Sequence, residues 1–320
     1  MPRLAIDVMG GDHGVSPLVL GAISALKVSQ NLHIVLVGDS SQINPCLTND
    51  YQDRLSVLHA PEVVDMQDNP LSVLRAKPDA SMAMAIDLAI DSKVDGVVSA
   101  GNTGALVSFG VKKAGMREGY SRPAICTQVP NVKGRTWLLD LGATLSASDD
   151  RLVELAKLGA DQCRTYSQID KPRVGLLNVG VEQGKGTDEL QKAAERLRDE
   201  QGLKYSGYVE GGCIFSEAVD VVVCDGFSGN IAIKTAEGVS KLLREKFADP
   251  STLTWYGKLA LWIASKAMRK AGSEVDPALF NGAPLLGLNK LIIKSHGNAD
   301  ARGFENAVLL ADKLATKLAV

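Results

Sequence analysis

The stretch L-A-I-D-V-M-G-G-D-H-G-V-S-P-L-V-L-G-A-I-S-A-L-K-V, residues 4–28, decides the fold. Leu4–Val8 is a short apolar run suited to a buried strand. Gly10 and Gly11 break it, and apolar residues then recur at helical spacing from Pro17 to Val28. Outward from this unit the same alternation continues. Further strand candidates are His33–Val37, Leu55–His59, Asp95–Ser99, Ala124–Val129, Trp137–Leu141, Arg173–Asn178, Val219–Cys224 and Leu291–Ser295. Amphipathic helices are predicted over Ser81–Ser92, Asp149–Arg164, Asp188–Gln201, Gly229–Phe247 and Ala301–Leu318. Strands alternating with helices predict a three-layer α/β/α architecture around a mostly parallel sheet. No repeat or Pro/Ser-rich linker interrupts it, so residues 1–320 read as one α/β catalytic unit.

Lys plus Arg (35) nearly balance Asp plus Glu (37), and the net charge of −2 gives no global pull toward nucleic acid. Five cysteines, at 46, 126, 163, 213 and 224, are odd in number and lack C-x-x-C spacing. They read as reduced thiols in a reducing cytosol. The opening strand leaves no room for a signal peptide. No uncharged apolar run approaches the roughly 20 residues a spanning helix needs. The expectation is a cytoplasmic protein, at most peripheral to a membrane.

One segment departs from the pattern. Residues 250–275 read as a protruding amphipathic helical segment in which Trp255, Trp262 and Ile263 stand against Lys258, Lys266, Arg269 and Lys270. Such a basic, Trp-bearing helix suits an anionic membrane surface or an acidic partner. The alternatives are a helix packed on the core or a dimer interface.

Five strands end in a glycine-containing loop opening toward a helix: residues 7–12, 99–104, 178–187, 225–230 and 294–298. In a parallel sheet all strand C-termini face one way, so these loops are expected to share one rim, where open α/β sheets bind ligands. Glycine admits close approach of backbone to ligand, and helix N-termini aim N–H groups at an anion. Several other sites find no support. Gly180–Thr187 has one residue too few for a nucleotide phosphate loop, and no G-x-G-x-x-G follows the first strand. There is no G-x-S-x-G elbow, and the histidines at 13, 33, 59 and 296 show no metal spacing. Asp7, Asp12, Asp140 and Asp225 are explained more cheaply as caps and turns than as metal ligands.

Taken in order, these loops resemble the PlsX family, the acyl-acyl-carrier-protein:phosphate acyltransferases of bacterial phospholipid synthesis. The matching blocks are I-D-V-M-G-G-D (6–12), V-V-S-A-G-N-T-G-A-L (97–106), R-P-A-I (122–125), L-L-D-L-G-A (138–143) and L-L-N-V-G-V-E-Q-G-K-G (176–186). V-V-V-C-D-G-F-S-G-N-I-A-I-K-T-A-E-G (221–238), G-A-P-L-L-G-L-N (282–289) and I-K-S-H-G-N-A-D (293–300) complete them. The chain departs from that pattern at T-L-S-A-S-D-D (144–150), Gly212 and Lys290.

The resemblance implies a fold similar to isocitrate and isopropylmalate dehydrogenases and phosphotransacetylases, in a homodimer. It implies acyl carrier protein as the donor's carrier, inorganic phosphate as a substrate, no cofactor and no metal. It also implies peripheral contact with an anionic membrane and with a downstream glycerol-phosphate acyltransferase. Phosphate is then the nucleophile, and the enzyme need only orient it and stabilise charge on the thioester oxygen. Lys185, between Gly184 and Gly186, is the first catalytic candidate, binding phosphate or polarising the carbonyl. Asn230 is the second, as a donor to oxyanion or phosphate; without the resemblance, a surface lysine and an N-cap explain both residues. Ser99, Gly101, Asn102, Thr103 and Ser228 are expected phosphate-loop donors, with Gly184, Gly186, Asp225, Gly226 and Gly229 in the phosphate- and acyl-binding loops. His296 is expected either to manage the proton balance at the departing thiolate or to fix its turn. Asp7, Gly10, Gly11 and Asp12 organise the first loop. The rival functions are exchange with acyl-coenzyme A, a dehydrogenase of the same fold class, and a non-catalytic scaffold for lipid-synthesis acyltransferases at the membrane.

Overall fold

The computed structural model describes residues 1–47, 51, 53–248 and 280–318. The amphipathic segment 250–275, and with it Trp255, Lys258, Trp262, Ile263, Lys266, Arg269 and Lys270, lies outside the described residues.

Eleven strands form one sheet in the order β3-β2-β1-β4-β11-β10-β5-β6-β9-β7-β8. They are β1 (Arg3–Asp7), β2 (His33–Gly38), β3 (Leu55–His59), β4 (Gly96–Ser99), β5 (Ala124–Pro130), β6 (Arg135–Leu139), β7 (Arg173–Leu177), β8 (Lys204–Val209), β9 (Val221–Val223), β10 (Ala283–Leu286) and β11 (Leu291–Lys294). The longer helices are α1 (Val15–Val28), α2 (Ser81–Ile90), α3 (Thr103–Phe109), α4 (Asp149–Ser167), α5 (Asp188–Arg198), α6 (Gly226–Ala248) and α7 (Ala301–Leu318).

Period-two burial sorts the layers. In β1, Leu4 and Ile6 face a cluster with Val19 and Leu26 of α1 and Phe304 and Val308 of α7, whereas Ala5 faces Met82 and Ile86 of α2 and Phe109 of α3. The other half repeats the plan. Trp137 and Leu139 face Leu155 and Leu158 of α4, while Leu138 and Val222 face Ile214, Ala232 and Ile233 on the side of α6. Both sheet faces are covered, as the continuous apolar runs require.

Chain direction departs from the simple expectation. β1, β2, β3, β4 and β11 are mutually parallel, as are β6, β9, β7 and β8. Between them β10 is antiparallel to both β11 and β5, and β5 is antiparallel to β6. Three reversals separate the halves, so their strands run in opposite senses. The five glycine loops therefore do not share one rim. Those after β1, β4 and β11 lie on one edge, and those after β7 and β9 on the other. The cause is the β5–β6 hairpin, whose turn at residues 131–134 replaces a crossover helix.

Helix α6 reconnects the edges. It starts at the second edge and runs back across the sheet, and in its fourth turn Glu237 Oε1 stands 3.6 Å from His296 Nε2 on the first. Asn230 lies seven residues earlier on the same helix, about 10 Å along its axis. Both sets of loops thus border the face that carries α2, α3 and α6.

Candidate active site

On the second edge the site is built from the loops after β6, β9 and β7, which are neighbours in the sheet. Asp140 is its hub. This fully buried carboxylate accepts N–H groups from Ile125 (3.0 Å), Gly142 (3.3 Å), Ala143 (3.1 Å) and Thr144 (2.8 Å). Burial raises its pKa, and the backbone donors together with Arg151 oppose that shift.

The first turn of α6 lies directly on this loop. A Cβ on Gly229 would stand 2.0 Å from the Asp140 carbonyl oxygen, and one on Gly226 would stand 2.5 Å from that of Thr144. Glycine at both positions is what permits the approach. Gly226 and Phe227 close it by donating their N–H groups to Thr144 and Leu145. Asp225 caps the helix, its Oδ1 accepting the Ser228 N–H at 2.7 Å. Asn230 is therefore not the N-cap but sits in the second turn. Its amide is half-exposed and has no hydrogen-bond partner among the described residues. The nearest described atom to a Cβ on Gly142 is its Nδ2, at 3.8 Å.

Lys185 occupies the adjacent loop, between Gly184 (φ 86°) and Gly186 (φ 85°). The second of these has no room for a side chain, since its Cβ would lie 2.4 Å from Asn178 Oδ1. Asn178 braces the loop by donating Nδ2–H to the Lys185 carbonyl at 3.0 Å. The Lys185 side chain is exposed, and its ammonium has no partner among the described residues. Beside the two candidates stand exposed apolar side chains, Leu145, Val179, Val181, Phe227 and Ile231.

The nucleophilic side chains beneath and beside α6 are poorly placed. Cys224, beneath α6, donates its thiol to the Leu139 and Asp140 carbonyls, and burial pushes its pKa up. Burial likewise raises Cys126, and takes Cys163 to about 11. The Ser228 hydroxyl has no base bonded to it among the described residues.

The first edge is assembled differently. Ser99, expected as a phosphate donor, is fully buried and donates its hydroxyl to Asp7 Oδ2 at 2.6 Å while accepting the Gly101 N–H. Asn102 caps α3 by accepting the Ala105 N–H and donates its amide to the carbonyls of Asp65, Met66 and Asp68. Both side chains are thus organisers, and the donors left in this loop are backbone groups and Thr103. Asp7 is buried, takes hydroxyls from Ser81 and Ser99, and has a pKa raised by desolvation. Asp12 donates its N–H to Gly297 O, tying the first loop to the last. Gly10 and Gly101 touch, a Cβ on the former reaching 2.4 Å from Cα of the latter. Gly11 packs on Leu18. His296 is held by its N–H to Asn281 Oδ1 and faces Glu237.

The sequence reads Asp140 as a cap or turn residue rather than a metal ligand, and the structure bears out the turn, with the carboxylate accepting the Gly142, Ala143 and Thr144 N–H groups. The sequence pattern places Lys294 in the loop at residues 294–298 without assigning it a role. The atypical residues 144–150 have a structural use, since Ser148 caps α4 while Asp149 and Asp150 pair with Arg196. A groove of about 180 Å³ bounded by Arg135, Tyr166, Phe280 and Lys313 lies on the opposite face, and neither candidate catalytic residue lines it.

The family model described as fatty acid synthesis protein matches residues 2–319. A phosphate acyltransferase from Methylococcus capsulatus is 42% identical over 316 residues, covering 98% of this chain and 93% of that protein. One from Shewanella amazonensis is 40% identical over 312 residues, covering 96% and 91%. Among solved structures, a phosphotransacetylase from Streptococcus pyogenes aligns with a TM-score of 0.64 at 16% identity, covering 100% of this chain and 94% of that one. A branched-chain phosphotransacylase from Enterococcus faecalis aligns at 0.63 and 12% identity, covering 98% and 99%. A 4-hydroxythreonine-4-phosphate dehydrogenase from Klebsiella pneumoniae aligns at 0.55 and 14% identity, covering 98% of each chain. The distant structures establish the dehydrogenase-like α/β fold, while the full-length match and the near relatives establish the kinship: this chain belongs to the fatty acid synthesis protein family.

Proposed function

We propose that this acyltransferase moves a fatty acyl group from an acyl-carrier-protein thioester to inorganic phosphate, releasing free carrier and an acyl phosphate for phospholipid synthesis. The observation that carries the mechanism is the pairing of an unengaged ammonium, Lys185, with an unengaged amide, Asn230, on the adjacent loops after β7 and β9, where the thiol beneath α6, Cys224, is buried and its pKa is pushed up. Such a site has no nucleophile of its own and is suited to orienting one supplied from solution. A phosphate oxygen attacks the thioester carbon. Lys185 offsets the negative charge of phosphate, and Asn230 donates to the carbonyl oxygen as it gains charge. The tetrahedral intermediate collapses with cleavage of the carbon–sulfur bond. The thiolate leaves with its electron pair and takes a proton from water or from His296. The acyl chain has an apolar bed available in Val179, Val181, Phe227 and Ile231.

No cofactor is required in this scheme, phosphate being a substrate. Residues 1–320 act as one catalytic unit, paired as a homodimer. No helix of the described residues is long and apolar enough to cross a membrane. The basic segment around Trp262 and Lys266 is proposed to rest on an anionic membrane, near the downstream glycerol-phosphate acyltransferase. Replacing Trp262 and Ile263 by serine should then reduce co-sedimentation with anionic vesicles while soluble turnover persists; unchanged sedimentation would reject the contact. The reaction itself is tested by trapping product with hydroxylamine. Hydroxamate formed from carrier thioester and phosphate, faster than from acyl-coenzyme A, supports the reading. Preference for coenzyme A would favour exchange of the phosphotransacetylase kind, and no hydroxamate from either donor would leave the scaffold.

A further inference from the structure

We propose that Lys294, on the first edge, is the cation of a phosphoryl-binding subsite that works with Lys185 and Asn230 across the same face. This rests on the acyl-phosphate reading above. Register places the residue: Asp7 on β1, Ser99 on β4 and Lys294 on β11 are direct cross-strand partners in one row. They share the face of Ala5, Val97 and Ile292, which is the face covered by α2 and α3. The ammonium donates to the carbonyls of Ala100, at 3.1 Å, and Ser295. An ammonium carries three N–H donors, so one remains. No described carboxylate lies in ion-pair contact with it. Asp7, the nearest acid in the row, already receives two hydroxyls and the Met9 N–H. Lys294 is therefore a cation without a direct counter-ion, and burial lowers its pKa to about 8 against the pull of Asp12 and Asp7.

A second observation points to an anion at the same place. The Gly10 and Gly101 turns meet so closely that a Cβ on Gly10 would lie 2.4 Å from Gly101 Cα. Gly10 and Asn102 are buried residues, and the backbone N–H of neither has an acceptor among the described residues. Buried donors of this kind are rarely left unmatched. Two amides and a spare ammonium N–H on neighbouring turns suit the oxygens of a phosphoryl group. The link to the other edge is α6, through Glu237 beside His296. The ligand is either the attacking inorganic phosphate or a phosphodiester carried by the donor, and the two sources are separable.

The test uses the full chain with Lys294→Met and Lys294→Arg, measured by hydroxamate formation. Phosphate is varied against both an acyl-carrier-protein thioester and a short acyl thioester that lacks any phosphodiester. Loss of one charge-assisted contact predicts a rise in KM of roughly tenfold or more for Lys294→Met, with kcat changed far less and partial recovery in Lys294→Arg. A rise in the KM of phosphate with both donors assigns the subsite to the nucleophile. A rise confined to the KM of the carrier thioester assigns it to the donor's phosphodiester. Lys294→Arg retains the charge and serves the same comparison if the methionine variant fails to fold. The proposal is overturned if the wild-type chain makes hydroxamate while both variants keep every KM within twofold, or if kcat alone falls. A wild-type chain that makes none overturns the reading beneath it instead.

Discussion

Removing the Asp140 carboxylate should unfold the second edge more than any loss of its charge alone would. Its two oxygens accept four backbone N–H groups, from Ile125, Gly142, Ala143 and Thr144, all from a position with no solvent exposure. Asp140→Ala leaves these donors without an acceptor. At about 1 kcal/mol for each net hydrogen bond lost, the cost is about 4 kcal/mol, reduced where water enters the space vacated. Asp140→Asn separates the contributions. Its carbonyl oxygen can retain the three contacts of Oδ1, but its NH2 group then meets the Thr144 N–H donor that Oδ2 accepts at 2.8 Å. One bond is lost and two donors face each other, for about 1–2 kcal/mol. Urea or thermal unfolding at neutral pH measures both. The alanine variant should lose roughly 10 °C of melting temperature and the asparagine variant about a third of that. Equal losses in the two variants would show that charge rather than acceptor count matters. A loss below about 1 kcal/mol in Asp140→Ala would refute the hub itself.

Other variants probe the same construction. Lys185→Ala should abolish acyl-phosphate formation yet leave stability within about 0.5 kcal/mol, because its exposed ammonium holds nothing else in place; normal turnover would remove it from the mechanism. Gly229→Ala should cost about 3 kcal/mol or more, since its Cβ would lie 2.0 Å from the Asp140 carbonyl oxygen and 2.8 Å from Cys224 Sγ; a wild-type unfolding midpoint would refute the packing. Lys294 should leave a signature above neutrality. The unfolded side chain keeps its proton to about 10.5 whereas the folded one releases it near 8, so the unfolded state binds more protons between these values and stability rises with pH there. The contribution is about 3 kcal/mol at most and should vanish from the pH profile of Lys294→Met; identical profiles for the two proteins would contradict it.

Much of this molecule is legible in its primary structure because the determinants are local. Apolar runs such as Leu4–Val8 and Trp137–Leu141 and the 3.6-residue pattern of Ala301–Leu318 announce strands and helices by side-chain period alone. The D-G-F-S-G-N and G-K-G blocks mark the loops that carry Asn230 and Lys185, because glycine is demanded there by backbone geometry and close approach. Two strands escaped detection for equally physical reasons. β8 alternates half-buried and exposed residues around Gly207, and β10 is four residues beginning Ala-Pro. The sequence pattern starts α6 three residues late, at Gly229, because a Gly-Phe-Ser-Gly run favours a turn until the Asp225 cap and the packing on residues 140–144 hold it helical.

The amino-acid order therefore determined the elements, the layered class and the catalytic candidates, each encoded within a dozen neighbouring residues. Tertiary structure alone decided the direction in which each loop faces. The β5–β6 hairpin and the antiparallel β10 reverse the second half of the sheet, and strand pairing between distant segments leaves no trace in local periodicity. It also decided that Ser99 and Asn102 spend their side chains inward, that Asp140 gathers four amides, and that Lys294 meets Ala100, 194 residues away in the chain. Contacts across such separations form only when the sheet assembles, and they set which polar groups stay free for chemistry.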